Sequence, residues 1–221
     1  MTVRLALFDC DGTLADSQHE IVAAMAIAFA AIGRTPPPAH AVRLNIGLSL
    51  PGIAAKLLPD GGAVLQAQLV DAYRDAYLDA RIAAGAEPEP LYDGIPALLD
   101  TLLANGWVLG VATGKSRRGL LRLLAAHGMT EQFATLQTAD LHPSKPDPAM
   151  VIAAMNESGA APGETIVIGD TSFDMAMAVA AGARAIGVTW GYHDAATLLL
   201  SGAAVLVDTP AQLLTALEDM R

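Results

Sequence analysis

Hydrophobic residues along the chain follow two patterns. Short aliphatic or β-branched runs recur at Val3 to Phe8, Trp107 to Ala112, Thr165 to Ile168, Ala185 to Val188 and Ala204 to Val207. They are too short for helices and show no polar alternation, so each predicts a strand buried on both faces. A further short strand is expected over Phe133 to Gln137. Between the later runs, apolar residues recur at helical spacing over Ser116 to His127, Pro148 to Ser158, Ser172 to Ala181 and Pro210 to Met220. Strands alternating with helices predict βαβ units, hence an α/β fold whose parallel sheet is covered on both faces.

The interval from Asp16 to about Pro90 breaks this alternation. It offers Ala-rich helical patterns, Ile21 to Ile32 and Ala63 to Ala84, and no strand. It reads as an inserted, all-helical subdomain over residues 16–90, with residues 1–15 and 91–221 forming the α/β core. Ser49 is expected to cap a helix inside the insertion. Glu87-Pro88-Glu89-Pro90 reads as a stiff extended linker before Asp93-Gly94 and a helix over Ile95 to Leu103 re-enter the core.

Charge narrows the range of partners. Thirteen Lys and Arg against 23 Asp and Glu give a net charge of -10, which repels polyanions and argues against nucleic acid. Lys115, Arg117, Arg118 and Arg122 cluster after one strand and are expected to form a solvated helix face. The longest uncharged stretch, Thr101 to Gly114, is shorter than the ~18 apolar residues of a membrane span. The start, MTVRLALFDCDG, lacks the long apolar segment of a signal peptide. These features predict a cytoplasmic protein that does not enter membranes. Its single cysteine, Cys10, permits no intrachain disulfide and is expected to pack at a strand end. The sequence sets no oligomeric state.

Ligands of an open α/β sheet bind beyond the carboxyl ends of its strands, and those positions here are rich in acid. After the first strand comes Asp9-Cys10-Asp11-Gly12-Thr13. After the second comes Thr113-Gly114, and after the fourth Gly169-Asp170-Thr171-Ser172-Phe173-Asp174. Lys145 stands in the loop Ser144-Lys145-Pro146-Asp147-Pro148. Two carboxylates ~5 Å apart repel by ~3 kcal/mol at an effective dielectric near ~20, so four that converge imply a divalent cation among them. With oxygen donors and no His or Cys cluster, Mg²⁺ is favoured over zinc.

Three other motifs fail on spacing. VLGVATGKS ends like a nucleotide-binding P-loop, but Gly110 and Gly114 enclose three residues where that loop needs about four. Ser116 is instead expected to cap the next helix, with Lys115 exposed at its start. His19-Glu20 lacks the second histidine of a zinc-protease helix, because position 23 is Ala. Gly47-Leu48-Ser49-Leu50-Pro51 ends in Pro where a nucleophile elbow needs Gly.

In their order, LFDCDGTLADS, VATGKS, SKPDPAM and IGDTSFDMAMA resemble the four motifs of the haloacid dehalogenase superfamily. The likeness is greatest to its phosphoglycolate phosphatase-like branch, to which GVTWGYHDAATLL is also similar. That resemblance implies a Rossmann-like doubly wound core with an α-helical cap inserted after the first motif. It implies Asp9 as nucleophile and Asp11 as general acid/base. Thr113, the Gly114 N–H and Lys145 would hold the phosphoryl group. Mg²⁺ would be bound by Asp9, Asp170 and the main-chain carbonyl of Asp11, with Asp174 supporting metal or lysine. An aspartate with an ordinary pKa near ~3.9 is ionised at neutral pH and attacks phosphorus without a separate base.

The implied activity is Mg²⁺-dependent hydrolysis of a small phosphorylated metabolite, like phosphoglycolate or a sugar phosphate, through an aspartyl phosphate. The alternative is a mutase similar to β-phosphoglucomutase, though Leu50 stands where such relatives often carry Arg. A dehalogenase lacks the second carboxylate, and a phosphonatase needs a cap lysine that Lys56 does not match. A non-catalytic phospho-switch leaves Asp170 and Asp174 without a role. Cap residues such as Arg43, Asn45 and Lys56 are candidates for reading the substrate, and none of them is diagnostic.

Overall fold

The computed structural model describes residues 2–83, 85 and 88–220. Its strands are β1 (Leu5–Phe8), β2 (Val108–Thr113), β3 (Thr135–Thr138), β4 (Thr165–Gly169), β5 (Arg184–Val188) and β6 (Val205–Val207). They form one sheet in the order β3-β2-β1-β4-β5-β6, and every neighbouring pair is parallel. The fold is α/β and Rossmann-like, as the alternating pattern predicts. The third strand starts two residues later than expected. Phe133 ends a short 3-10 turn, and its side chain packs into the core.

Helices cover both faces because the side chains of a strand point alternately to each side. Ala6 and Phe8 point to one face, where they meet α5 (Ile95–Ala104), α6 (Arg117–Ala126) and α10 (Pro210–Asp219). Leu5 and Leu7 point to the other, against α7 (Ala149–Ser158), α8 (Ser172–Ala180) and α9 (Ala195–Leu200). Ser116 caps α6, its hydroxyl accepting from the Gly119 N–H at 3.3 Å. Cys10 is fully buried, and burial followed by the neighbouring Asp11 charge pushes its thiol well above the ordinary range.

Between Asp16 and Pro90 the chain folds into α1 (Gln18–Ala31), α2 (Ala39–Arg43), α3 (Leu50–Leu57) and α4 (Gly62–Ala83). Ala84 and Glu87, at the end of the expected helix and the start of the expected linker, lie outside the described residues. Ile21, Met25, Phe29, Ile53 and Leu69 build a hydrophobic cluster separate from the two that flank the sheet. Phe173 from α8 packs against this cluster and ties it to the core. Ser49 caps α3 by accepting from the Gly52 N–H. The departing and returning segments lie side by side. Asp16 N–H donates to the Pro90 carbonyl at 2.9 Å, and Ala15 bridges to Leu91. Among the described residues, no helix is long and apolar enough to cross a membrane.

This burial pattern sets a contrast within one helix. Leu69 of α4 is fully buried and Val64 is 76 % exposed. Leu69→Ala is expected to cost roughly 2–5 kcal/mol, and Val64→Ala less than about 0.5 kcal/mol. Urea denaturation of both variants checks this.

Candidate active site

The strand register brings the acidic residues together. Phe8 of the central strand β1 aligns with Val111 of β2 and with Ile168 of β4, so the three strands end within two residues of one another. The strand order reverses around β1, which opens a crevice at those ends. Asp9, Thr113 and Asp170 all emerge there. Gly12 turns the chain beyond β1 at φ +92°, a left-handed conformation that suits glycine. A side chain at Gly12 would also run into the Asp170 carboxylate. Asp174 lies in the first turn of α8, held by a capping box in which the Thr171 N–H and hydroxyl both donate to its Oδ2, at 3.1 and 2.6 Å.

Lys145 links these groups. Its Nζ is 2.7 Å from Asp9 Oδ1 and donates to Asp174 Oδ1 at 2.6 Å, with all three side chains buried. The contact to Asp9 is an ion pair whose angles do not make a hydrogen bond, and Asp9 Oδ2 has no hydrogen-bond partner among the described residues. Asp170 accepts from the Thr13 hydroxyl at 2.8 Å and from the Tyr192 N–H at 2.9 Å. Burial holds Asp9 up to about 7, against the lowering effect of Lys145 and with the Asp174 charge adding to the rise. Burial, then the Asp9 and Asp174 charges, push Asp170 up as well. Burial alone would lower Lys145, but Asp174 and Asp9 outweigh it and its pKa rises. An aspartate of ordinary pKa is ionised at neutral pH, and burial takes Asp9 out of that range unless a cation joins the site. Three buried acids around one ammonium leave the site short of positive charge.

A hard divalent cation suits these residues. One oxygen each of Asp9, Asp170 and Asp174 lies within 4.8 Å of the others, the donors are all carboxylates, and one oxygen of Asp9 is buried without a partner. Asp174 spends its oxygens on Lys145 and Thr171, and Asp170 spends its own on Thr13 and the Tyr192 N–H, so Asp9 is the carboxylate of the three with an unpartnered oxygen. The Asp11 carboxylate lies outside this cluster. Its Oδ1 accepts from the Ser17 hydroxyl at 2.5 Å and pairs with Lys115 at 3.0 Å, so any contribution to a cation falls to its main chain.

Lys115 differs from the sequence expectation. It is not an exposed residue at a helix start. Its side chain is 10 % exposed, and its Nζ is 3.0 Å from both Asp11 Oδ1 and Glu89 Oε2. Burial alone would lower its pKa, but the Asp11 and Glu89 charges raise it. Glu89 is buried too. It accepts from the Tyr77 hydroxyl at 2.8 Å and pairs with Arg81 at 3.5 Å, while its carbonyl contacts His127 Nε2 at 2.8 Å. Sequence reasoning missed this junction because Glu89 sits in a Pro-flanked linker that reads as solvent-exposed. The i, i+4 placement of Tyr73 and Tyr77 on α4 was the available signal.

Thr113 is buried and its Oγ1 accepts from the Lys115 N–H at 3.1 Å, which leaves its hydroxyl hydrogen able to donate elsewhere. Gly114 and Asp11 line a cavity of about 550 Å³ between the core and the helical unit. Opposite Gly114 are the Gly47 and Leu48 carbonyls, so close that a side chain at 114 would collide with them. Arg43, Asn45 and Lys56 do not line this cavity. Leu48, Leu50, Tyr73 and Tyr77 do. Asn45 instead donates to the Ala41 carbonyl, closing the end of α2 at 2.8 Å. His193 also joins the two parts. Its Nδ1 accepts from the Ser172 N–H at 3.0 Å, so Nε2 carries the proton and donates to the Leu44 carbonyl at 3.1 Å.

Residues 6–188 match the family model described as haloacid dehalogenase-like hydrolase, and the chain belongs to that family of hydrolases. Among its relatives, it is 35% identical over 214 residues to a probable phosphatase, IndB, of Dickeya dadantii, covering 93% of this chain and 89% of that one. It is 30% identical over 220 residues to a phosphoglycolate phosphatase of Pseudomonas putida, covering 98% and 80%. A solved hydrolase from Pseudomonas syringae superposes with a TM-score of 0.85 at 27% identity, covering 99% of each chain.

Two outcomes follow from these electrostatics. Removing a partner from a buried ion pair leaves an uncompensated charge, so Lys115→Met is expected to destabilise by roughly 3–5 kcal/mol, as measured by chemical denaturation. Glu89→Gln, which leaves Lys115 paired with Asp11, is expected to cost less. The second outcome concerns pH. A carboxyl raised in the folded state binds its proton more tightly there than in the unfolded chain. Its stabilising effect is therefore complete below the unfolded pKa and is lost as pH climbs through about 7. In chelator, the melting temperature of Asp9→Asn relative to the parent is expected to rise between about pH 5 and about pH 8. A constant difference would contradict the raised Asp9.

Proposed function

We propose that the protein is a Mg²⁺-dependent phosphatase that hydrolyses a small phosphomonoester through a phosphoaspartate on Asp9, with residues 16–90 acting as a cap over the site. The observation that carries this reading is the buried Asp9 carboxylate, with one oxygen paired to Lys145 and the other unpartnered beside Asp170. Mg²⁺ bound by Asp9, Asp170 and the Asp11 carbonyl would supply the missing positive charge and hold Asp9 as the carboxylate.

In this mechanism the Asp9 carboxylate attacks phosphorus while the ester oxygen departs. Asp11, as the acid, gives that oxygen its proton. Ser17 and Lys115 fix Asp11 through Oδ1, which leaves Oδ2 for the transfer. The Asp11 carboxylate then takes a proton from water as that water attacks the phosphorus of the acyl phosphate, releasing phosphate and restoring Asp9. Lys145, the Thr113 hydroxyl and the Gly114 N–H hold the equatorial oxygens through the transition state. The cap excludes bulk water, since the Gly47-Leu48 backbone sits on Gly114. Leu50 lines the cavity with an apolar side chain at the position where a mutase would place Arg, which favours release to water over return to a sugar phosphate.

Phosphate release from an aryl phosphate tests this reading. Asp9→Asn is expected to lose at least ~10³ in turnover, because the amide keeps the shape but removes the nucleophile. Chelator is expected to abolish activity, and added Mg²⁺ to restore it. Substantial turnover by Asp9→Asn, or without metal, overturns the proposal.

A further inference from the structure

The cavity beside Asp11 is too large and too unevenly lined for a two-carbon leaving group. At about 550 Å³ it falls within the ~300–1,000 Å³ range of sites for larger small molecules. One wall comes from the helical unit and is mainly apolar, formed by Ile46, Leu48, Leu50, Tyr73 and Tyr77, with Arg74 and Asp75 beside them. The facing wall is α6, which contributes Arg118 and Arg122.

These two arginines are one helical turn apart, about 6 Å along the axis, on the same face of α6. The opposite face of that helix is buried through Leu120, Leu123 and Leu124. Neither guanidinium has an ion pair or hydrogen bond among the described residues, although the chain carries a net charge of -10. Most other charges on the lining are already matched, Asp75 on the opposite wall being the exception. Lys115 is paired with Asp11 and Glu89, Arg74 with Asp71, and Asp140 accepts from the Thr138 hydroxyl and the Arg117 N–H. Asp75 is exposed on the other wall, next to Arg74. Uncompensated positive charge therefore concentrates on α6, roughly two turns beyond Gly114 at Arg122.

We infer that the physiological leaving group has an apolar, ring-sized body lying against the Tyr73 and Tyr77 wall and a second anionic group at its far end, held by Arg118 and Arg122. The inference rests on the phosphatase reading and narrows its substrate class. A carboxylate suits the second position, because a guanidinium pairs with it through two parallel N–H donors. Phosphoglycolate also has a carboxylate, but it lies one carbon from the ester oxygen, too near the phosphate to reach Arg122, and it leaves the apolar wall uncovered. A neutral sugar would set hydroxyls against Leu and Tyr side chains and leave both guanidiniums unmatched.

Phosphate release at saturating Mg²⁺ tests this with phenyl phosphate, 4-carboxyphenyl phosphate, 2-phosphoglycolate and glucose 6-phosphate. The expected kcat/KM is about tenfold or more higher for 4-carboxyphenyl phosphate than for phenyl phosphate, with both aryl esters above the other two. In the double variant Arg118→Gln/Arg122→Gln, shown by its melting temperature to be folded, the carboxyphenyl-to-phenyl ratio is expected to fall to within about twofold of one. Hydrolysis of phenyl phosphate with no preference for the carboxylate, or a preference that survives in the double variant, overturns this inference and leaves the phosphatase reading standing. Release from none of the four above the Asp9→Asn background overturns the phosphatase reading and this inference with it.

Discussion

The Lys145 ammonium between Asp9 and Asp174 is the contact on which the rest of the site depends. Three carboxylates buried at the ends of β1 and β4 would repel one another in a medium that screens poorly. One fully buried lysine offsets only part of that charge, and burial, with the neighbouring carboxylate charges adding to it, pushes Asp9 and Asp170 up. Positioning such a cluster needs rigid supports. The register of β1 with β2 and β4 provides one, and the capping box of α8 provides another by fixing Asp174 Oδ2 on Thr171 while Oδ1 accepts from Lys145.

Much of the architecture was legible from hydrophobic spacing. Strands buried on both faces leave uninterrupted aliphatic runs, and covering helices leave periodic ones, so β1, β2, β4, β5 and β6 and the helices α5, α6, α7, α8 and α10 could be read directly. The short helices α2, α3 and α9, of 5, 8 and 6 residues, complete too few turns to display a period. Phe133 was assigned to a strand because an aromatic at the start of an apolar run packs the same way from a turn as from a sheet edge.

At the candidate site, legibility followed distance along the chain. Residues just beyond strand ends stood out because the sheet alone places them in the crevice. Glu89 did not, since nothing in a Pro-flanked acidic linker shows that Lys115, Tyr77 and Arg81 converge on it from three directions. Lys115 was misjudged for the same reason. Its position before a capped helix suggests solvent, while the two carboxylates that bury it come from residues 104 positions upstream and 26 positions upstream. Asp16, Pro90, Glu89 and Lys115 form one hydrogen-bonded and ion-paired junction where both crossings between helical unit and core meet. Movement of the unit must strain that junction.

Cys10 lies under the candidate nucleophile, fully buried, with its thiol held protonated by its surroundings. Alkylating reagents consume thiolates that they can reach, and this sulfur offers neither condition. The natural chain thus behaves as though it had no cysteine at all. A pair of cysteines introduced on exposed positions, one at Val64 of α4 and one at Ile152 of α7, would take fluorescent labels cleanly and report the separation of helical unit and core without any change to the site between them.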